Sequence, residues 1–182
     1  MIVPVALNQN RFATRWHALQ RPATTDAPRI WRKWLLDKGS LTQHLINASN
    51  GHFRVEVVRQ QWGQPSLAEA KALNIPTRQK VLIREVQLLG YNQPWVFART
   101  IIPASTLTGK QRKLHALGTR SLGSVLFRDP TMKRSPLEIS RIPLSNGETT
   151  WARRSLFYLA NKPLLVAEVF LPALQQVNYR HK

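Results

Sequence analysis

Residues 80–103 read KVLIREVQLLGYNQPWVFARTIIP, and this stretch decides the fold class. Its two apolar runs, 80–90 and 94–103, are parted only by the turn-forming cluster Tyr91-Asn92-Gln93-Pro94. So short a connection joins antiparallel strands, because a parallel pair needs a crossover of about a dozen residues or more. The same pattern continues outward. Upstream, FRVEVVRQ (53–60) sets Phe53, Val55 and Val57 on one face and Arg54 and Glu56 on the other, predicting a strand over 53–62. Downstream, strands are expected over 136–144, 151–160 and 163–171, with turn residues at Ser145-Asn146-Gly147 and Ala160-Asn161-Lys162-Pro163. The count is six strands. Helices are expected over 30–36, over 41–46 behind a Ser40 cap, after Ser66 with Glu69 as its reciprocal cap, and over 110–117, ended by Gly118. The class is α+β, a single domain of mostly antiparallel strands.

Composition narrows the function. The 182 residues suit one domain with a sizeable core, 43% of them are hydrophobic, and none is cysteine, which removes disulfides, thiolate nucleophiles and cysteine metal sites together. The five histidines fall in no paired ligand spacing, so no metal site is expected. The opening apolar stretch MIVPVAL is far shorter than the ~20 residues a membrane span needs. Lys and Arg number 27 against 9 Asp and Glu, a net charge of +18, divided as +8 over residues 1–91 and +10 over 92–182. Charge so evenly spread, without a basic tail or an aromatic-interleaved platform, makes a general field and not a nucleic-acid docking patch. Such a field draws small dianions, and it predicts a weak peripheral attraction to anionic lipid that vesicle sedimentation at low salt would read.

Two charged residues stand where strand periodicity calls for an apolar side chain. Arg84 shares its phase with Leu82, Val86 and Leu88, so it should point inward and meet an anion. Its planar fork suits a carboxylate held by two hydrogen bonds. Glu168, in PLLVAEVFLP, is surrounded in both phases by apolar residues, an environment that raises a carboxyl pKa and suits it to proton exchange. Two readings stand level at this point: a buried Arg84–Glu168 ion pair with no further role, or a ligand grip with a proton-handling group beside it. Arg99, Arg153 and Arg154 also interrupt apolar strands. The last two lie in opposite phases, so solvent is the default surrounding for either. No GxSxG elbow, Ser-His-Asp arrangement or phosphate-cradling glycine loop occurs.

Six segments carry a resemblance. WLLDKGSLTQHL (34–45), VLIREVQLLG (81–90), QPWVFARTIIPASTL (93–107), LGTRSLGSVLF (117–127), LEISR (137–141) and WARRSLFYLANKPLLVAEVFLP (151–172) occur in the order and spacing of the chorismate pyruvate-lyase family of ubiquinone biosynthesis. The chain resembles that family over about residues 31–173. The resemblance implies a six-stranded antiparallel sheet with helices on one side, and helix-turn-helix flaps closing an internal ligand pocket. It implies elimination of pyruvate from chorismate to give 4-hydroxybenzoate, with slow product release, no cofactor and a cytoplasmic monomer. It assigns Arg84 to a substrate carboxylate, Glu168 as the essential glutamate, and Leu122 to a backbone contact with the product. Leu41 takes the place of a flap residue that is often methionine.

The expected organisation is a basic, loosely ordered N-terminal segment over 1–28, the lyase-like domain over 29–174 and a C-terminal tail over 175–182. The rival of another class is a non-catalytic effector-binding domain of the same fold, as in bacterial transcription regulators. Such a domain normally follows a DNA-binding module, and the residues before Trp31 are too few for the usual ~50 or more.

Overall fold

A computed structural model of the chain describes residues 15–19 and 27–180. Its centre is an antiparallel sheet of β1 (His17–Ala18), β2 (Phe53–Gly63), β3 (Val81–Gly90), β4 (Gln93–Pro103), β5 (Lys133–Arg134), β6 (Glu138–Pro143), β7 (Thr149–Leu159) and β8 (Lys162–Phe170). The helices are α1 (Arg29–Leu35), α2 (Leu41–Ala48), α3 (Leu67–Leu73) and α4 (Leu122–Leu126), with 3-10 turns over Gly109–Ala116 and Pro172–Gln176. The strand order is β1-β6-β7-β8-β4-β3-β2, with β5 added to β7. Every pairing is antiparallel.

The sheet therefore has eight strands where six were expected. The six longer strands match the expected segments; β1 and β5 are two residues each, too short to leave any periodicity. The β3–β4 and β7–β8 hairpins turn on two residues with positive φ at both, Tyr91 (50°) with Asn92 (63°) and Ala160 (47°) with Asn161 (62°). That is the turn whose twist matches the strands it joins, and it fixes the register of both hairpins.

Helices on one side of the sheet were expected, and both faces are covered instead. On the first face α1 and α2 pack Trp31, Trp34, Leu35, Leu41 and Leu45 against Val86, Leu88, Val96 and Phe170. Leu126 of α4 joins Leu82, Ile102 and Val166 on the same face. On the second face α3 sets Leu73 against Val81, Ile83, Ile101 and Leu165, and Trp16 from the N-terminal segment covers Phe97, Ala152, Ala167 and Val169. This double cover is why all ten residues of β3 are buried.

The N-terminal segment, expected to be loosely ordered over 1–28, falls for residues 1–14 and 20–26 outside the described part. Within it, His17 and Ala18 pair with β6. At the other end, Tyr179 of the expected tail stacks on Trp34 and meets the His44 Nδ1 through its hydroxyl at 3.0 Å.

Arg99, Arg153 and Arg154, for which solvent or a lesser role was expected, are all buried. The second face supplies the reason for two of them. Arg154 donates to Glu138 at 2.7 Å and lies 4.8 Å over the Trp16 ring. Arg99 donates to Glu69 Oε1 and to Glu85 Oε1, each at 2.6 Å. These contacts hold its pKa above the usual arginine value, the two carboxylates outweighing an opposing loss of hydration. Glu69 is also the reciprocal cap of α3, taking the Ser66 amide at 2.8 Å, so one side chain starts the helix and fastens it to the sheet. Replacing Arg99 with methionine strands Glu69 in a dry interface, a loss of about 3–5 kcal/mol. A calorimetric fall in Tm on the order of 10 °C is the expected result for a domain of this size.

Candidate active site

Strand register gathers charged side chains on the first face. Arg84 of β3 lies opposite Thr100 of β4, which lies opposite Val166 of β8, which lies opposite Ser155 of β7. One pair further along, Ala98 faces Glu168 and Glu168 faces Arg153. With strands ~4.8 Å apart and ~3.4 Å per residue, Arg84 and Glu168 stand roughly 12 Å apart at Cα, within joint reach of one small molecule.

Above this face α2 and α4 meet and leave a hollow. Its lining includes Arg84, Leu41, Leu122, Arg134, Arg153 and Glu168. The volume open to the centre of a water-sized sphere is ≈ 50 Å³, several times what one water needs. The remaining lining is largely apolar, with Val55, Val86, Leu88, Leu126, Phe157 and Val166. Gly123 lets the two covering helices approach closely: a Cβ there would stand 2.6 Å from the Thr42 hydroxyl. All four residues singled out in the sequence, Arg84, Glu168, Leu41 and Leu122, border this one space.

Leu41 and Leu122 open α2 and α4, each directly after a serine cap: Ser40 accepts from the Gln43 amide and Ser121 from that of Ser124. The amides of Leu41 and Leu122 are therefore first-turn donors with no partner inside their own helix.

Arg84 and Glu168 do not bond to each other. Arg84 is 2% exposed and donates to Gln60 Oε1 at 3.0 Å, the Gly118 carbonyl at 2.8 Å and the Arg120 carbonyl at 3.2 Å. All three acceptors are neutral. Among the described residues no carboxylate lies within ion-pair distance of it, and burial pushes its pKa below the ordinary value. Glu168 is held by Arg153, whose Nε donates to Oε2 at 2.6 Å. Its surroundings are thus less apolar than its strand suggested, and Oε1 has no hydrogen-bond partner among the described residues.

Sequence reading singled out Arg153 but gave it to solvent, and it missed Arg134. Arg153, 1% exposed, also donates to the carbonyls of Trp34 at 2.8 Å and Asp37 at 2.6 Å, tying the end of α1 to β7 beside the carboxylate. A signal for it existed. Once the β7–β8 turn is two residues, positions 153 and 168 lie equally far from it and must face each other across the hairpin. Arg134 sits on the two-residue β5 and donates to Ser155 Oγ at 2.8 Å. Burial first, then repulsion from Arg153, against the pull of Glu168 and Asp37, bring its pKa down to about 10. No sequence pattern marks so short a strand.

A sequence-family profile described as chorismate lyase matches residues 15–179. The chain belongs to the chorismate lyase family. Among relatives of this family, a probable chorismate pyruvate-lyase of Psychromonas ingrahamii is 45% identical over 88% of this chain and 91% of its own length. Probable chorismate pyruvate-lyases of Pseudomonas aeruginosa and Nitrosomonas eutropha are 42% and 39% identical, over 78% and 89% of this chain and 83% and 96% of theirs. Solved structures of similar shape include domains of transcriptional regulators. The C-terminal domain of the histidine utilization repressor from Pseudomonas syringae pv. tomato matches with a TM-score of 0.56 at 11% identity, over 71% of this chain and 99% of that one. A GntR-family transcriptional regulator from Bacillus cereus matches at 0.53 and 12%, over 72% and 96%. At such low identity these likenesses speak to the fold of the chorismate lyase family alone.

Proposed function

We propose that the protein eliminates pyruvate from chorismate to leave 4-hydroxybenzoate, the opening step of ubiquinone biosynthesis, as a monomer in the cytoplasm. One observation carries this reading: a hollow roofed by helices over the sheet, holding on one sheet face a guanidinium that no described carboxylate pairs with and a carboxylate oxygen that no described residue donates to.

Chorismate loses the proton on ring carbon C4 and the enolpyruvate oxygen from C3, and the ring becomes aromatic. The freed enolate takes a proton and becomes pyruvate. Aromatisation supplies most of the driving force, so the protein's tasks are to orient the ring and to move protons. Arg84 anchors the ring carboxylate through its fork. Glu168 assists proton movement at the hydroxyl end or at the departing enolpyruvate. The amides of Leu41 and Leu122 are placed to hydrogen-bond the ring's polar groups. The net charge of +18 draws the dianion from solution.

Purified protein mixed with chorismate should generate 4-hydroxybenzoate absorbance and stoichiometric pyruvate. Binding of 4-hydroxybenzoate with no turnover would instead favour the effector-domain reading, which the regulator-like fold supports. Because flaps roof the hollow, release should be slower than chemistry. A stopped-flow burst close to one equivalent of product, followed by a slower steady rate, is the expected trace; a linear course from time zero counts against it.

A further inference from the structure

Arg134 lines the hollow and is incompletely used by the protein. Its Nε donates to Ser155 Oγ at 2.8 Å, one Nη donates to the Lys38 carbonyl at 3.2 Å, and the guanidinium lies 4.8 Å over the Phe157 ring. Both hydrogen-bond acceptors are neutral. Among the described residues the second Nη has no hydrogen-bond partner and no carboxylate stands within ion-pair distance of Arg134. Arg153 beside it differs in the point that matters, its charge being met by Glu168 while one Nη ties the end of α1.

The hollow thus carries two guanidiniums with no described carboxylate in ion-pair contact, Arg84 on β3 and Arg134 anchored on β7 through Ser155. Arg84 and Ser155 lie in one cross-strand row, three strands apart, or about 14 Å at Cα. Glu168 sits on β8, between them. Long arginine side chains reaching inward from both ends leave a span suited to a molecule with an anionic group at each end. A buried cation with no counter-ion is costly, and the cost is offset when a ligand supplies one.

Resting on the lyase reading, we propose that Arg134 binds the second carboxylate of the substrate, the one on the enolpyruvyl arm. With the ring carboxylate on Arg84 and the ring hydroxyl near Glu168, the arm on the neighbouring ring carbon points toward β7 and Arg134. The substrate engages both guanidiniums; the aromatic product, having lost the arm, engages only Arg84. Arg134 is therefore a substrate-selective contact, and its charge is released with pyruvate.

Arg134→Met and Arg134→Lys test this, with the chorismate KM and the 4-hydroxybenzoate Kd measured for each. In Arg134→Met the KM should rise at least about tenfold while the Kd stays within about twofold, because a charge-assisted contact is lost to one ligand only. Arg134→Lys keeps the charge without the fork, and its KM should rise by about threefold or more with the same unchanged Kd. An unchanged KM, or a KM and Kd that rise together, overturns the proposal. The unchanged Kd also reports an intact fold, and if Arg134→Met does not fold, Arg134→Lys decides. If the unmodified protein turns over no chorismate, the lyase reading fails separately; calorimetric titration with chorismate and with 4-hydroxybenzoate then still reads whether Arg134 separates the two.

Discussion

Glu168→Gln should lower the single-turnover rate of chorismate cleavage by a factor of about 10² to 10⁴, the span that a positioned acid or base contributes. Glutamine is the informative choice because of what Glu168 touches. Arg153 donates to its Oε2 at 2.6 Å while fastening the end of α1 through two carbonyls. Alanine at 168 would leave that guanidinium buried and uncompensated, costing about 3–5 kcal/mol, and would mix a folding defect with a chemical one. Glutamine removes the charge but keeps a hydrogen-bond acceptor for Arg153, so it perturbs the fold less than alanine, and thermal unfolding measured alongside separates the two effects. Rapid-quench measurement with enzyme in excess separates the chemical step from slow release. An undiminished rate in Glu168→Gln would remove Glu168 from the proton path.

Arg84→Met should weaken substrate and product alike, by about two orders of magnitude each. A hydrogen bond to a charged group is worth about 1.5–3 kcal/mol, and a forked contact made to both ligands is lost in both. The chorismate KM and the 4-hydroxybenzoate Kd should therefore rise together, the opposite of the split expected for Arg134. Arg84 also ties the Gly118 and Arg120 carbonyls ahead of α4, so thermal unfolding should accompany the binding measurements. A Kd for 4-hydroxybenzoate that stays unchanged while the protein remains folded would show that the ring carboxylate is held elsewhere.

Much of the site was legible in the chain. Arg84 and Glu168 were found because each breaks an apolar strand pattern, and a charge in a buried phase needs a physical reason. Leu41 and Leu122 were assigned by resemblance, and both open flap helices bordering the hollow. The partners of the two charges were not legible. An Arg84–Glu168 pair was one of two open readings, and the register of β7 against β8 gives Glu168 to Arg153 instead. Arg134 left no trace because two residues are too few for periodicity.

The sequence by itself determined the strand alternation, the two-residue hairpin turns, the helix caps and hence an antiparallel α+β domain, because these depend on residues near one another along the chain. It also marked Arg84 and Glu168 as charges in apolar strand phases, while leaving Arg153 and Arg154 to solvent. Only the tertiary structure decided that both faces of the sheet are covered, that Arg153 takes Glu168, and that Arg84 and Arg134 face a common hollow with no described carboxylate in ion-pair contact with either. Those outcomes depend on contacts between residues tens of positions apart. Pairing across strands and packing of α3 and Trp16 on the second face set which charges meet, and no local pattern encodes that.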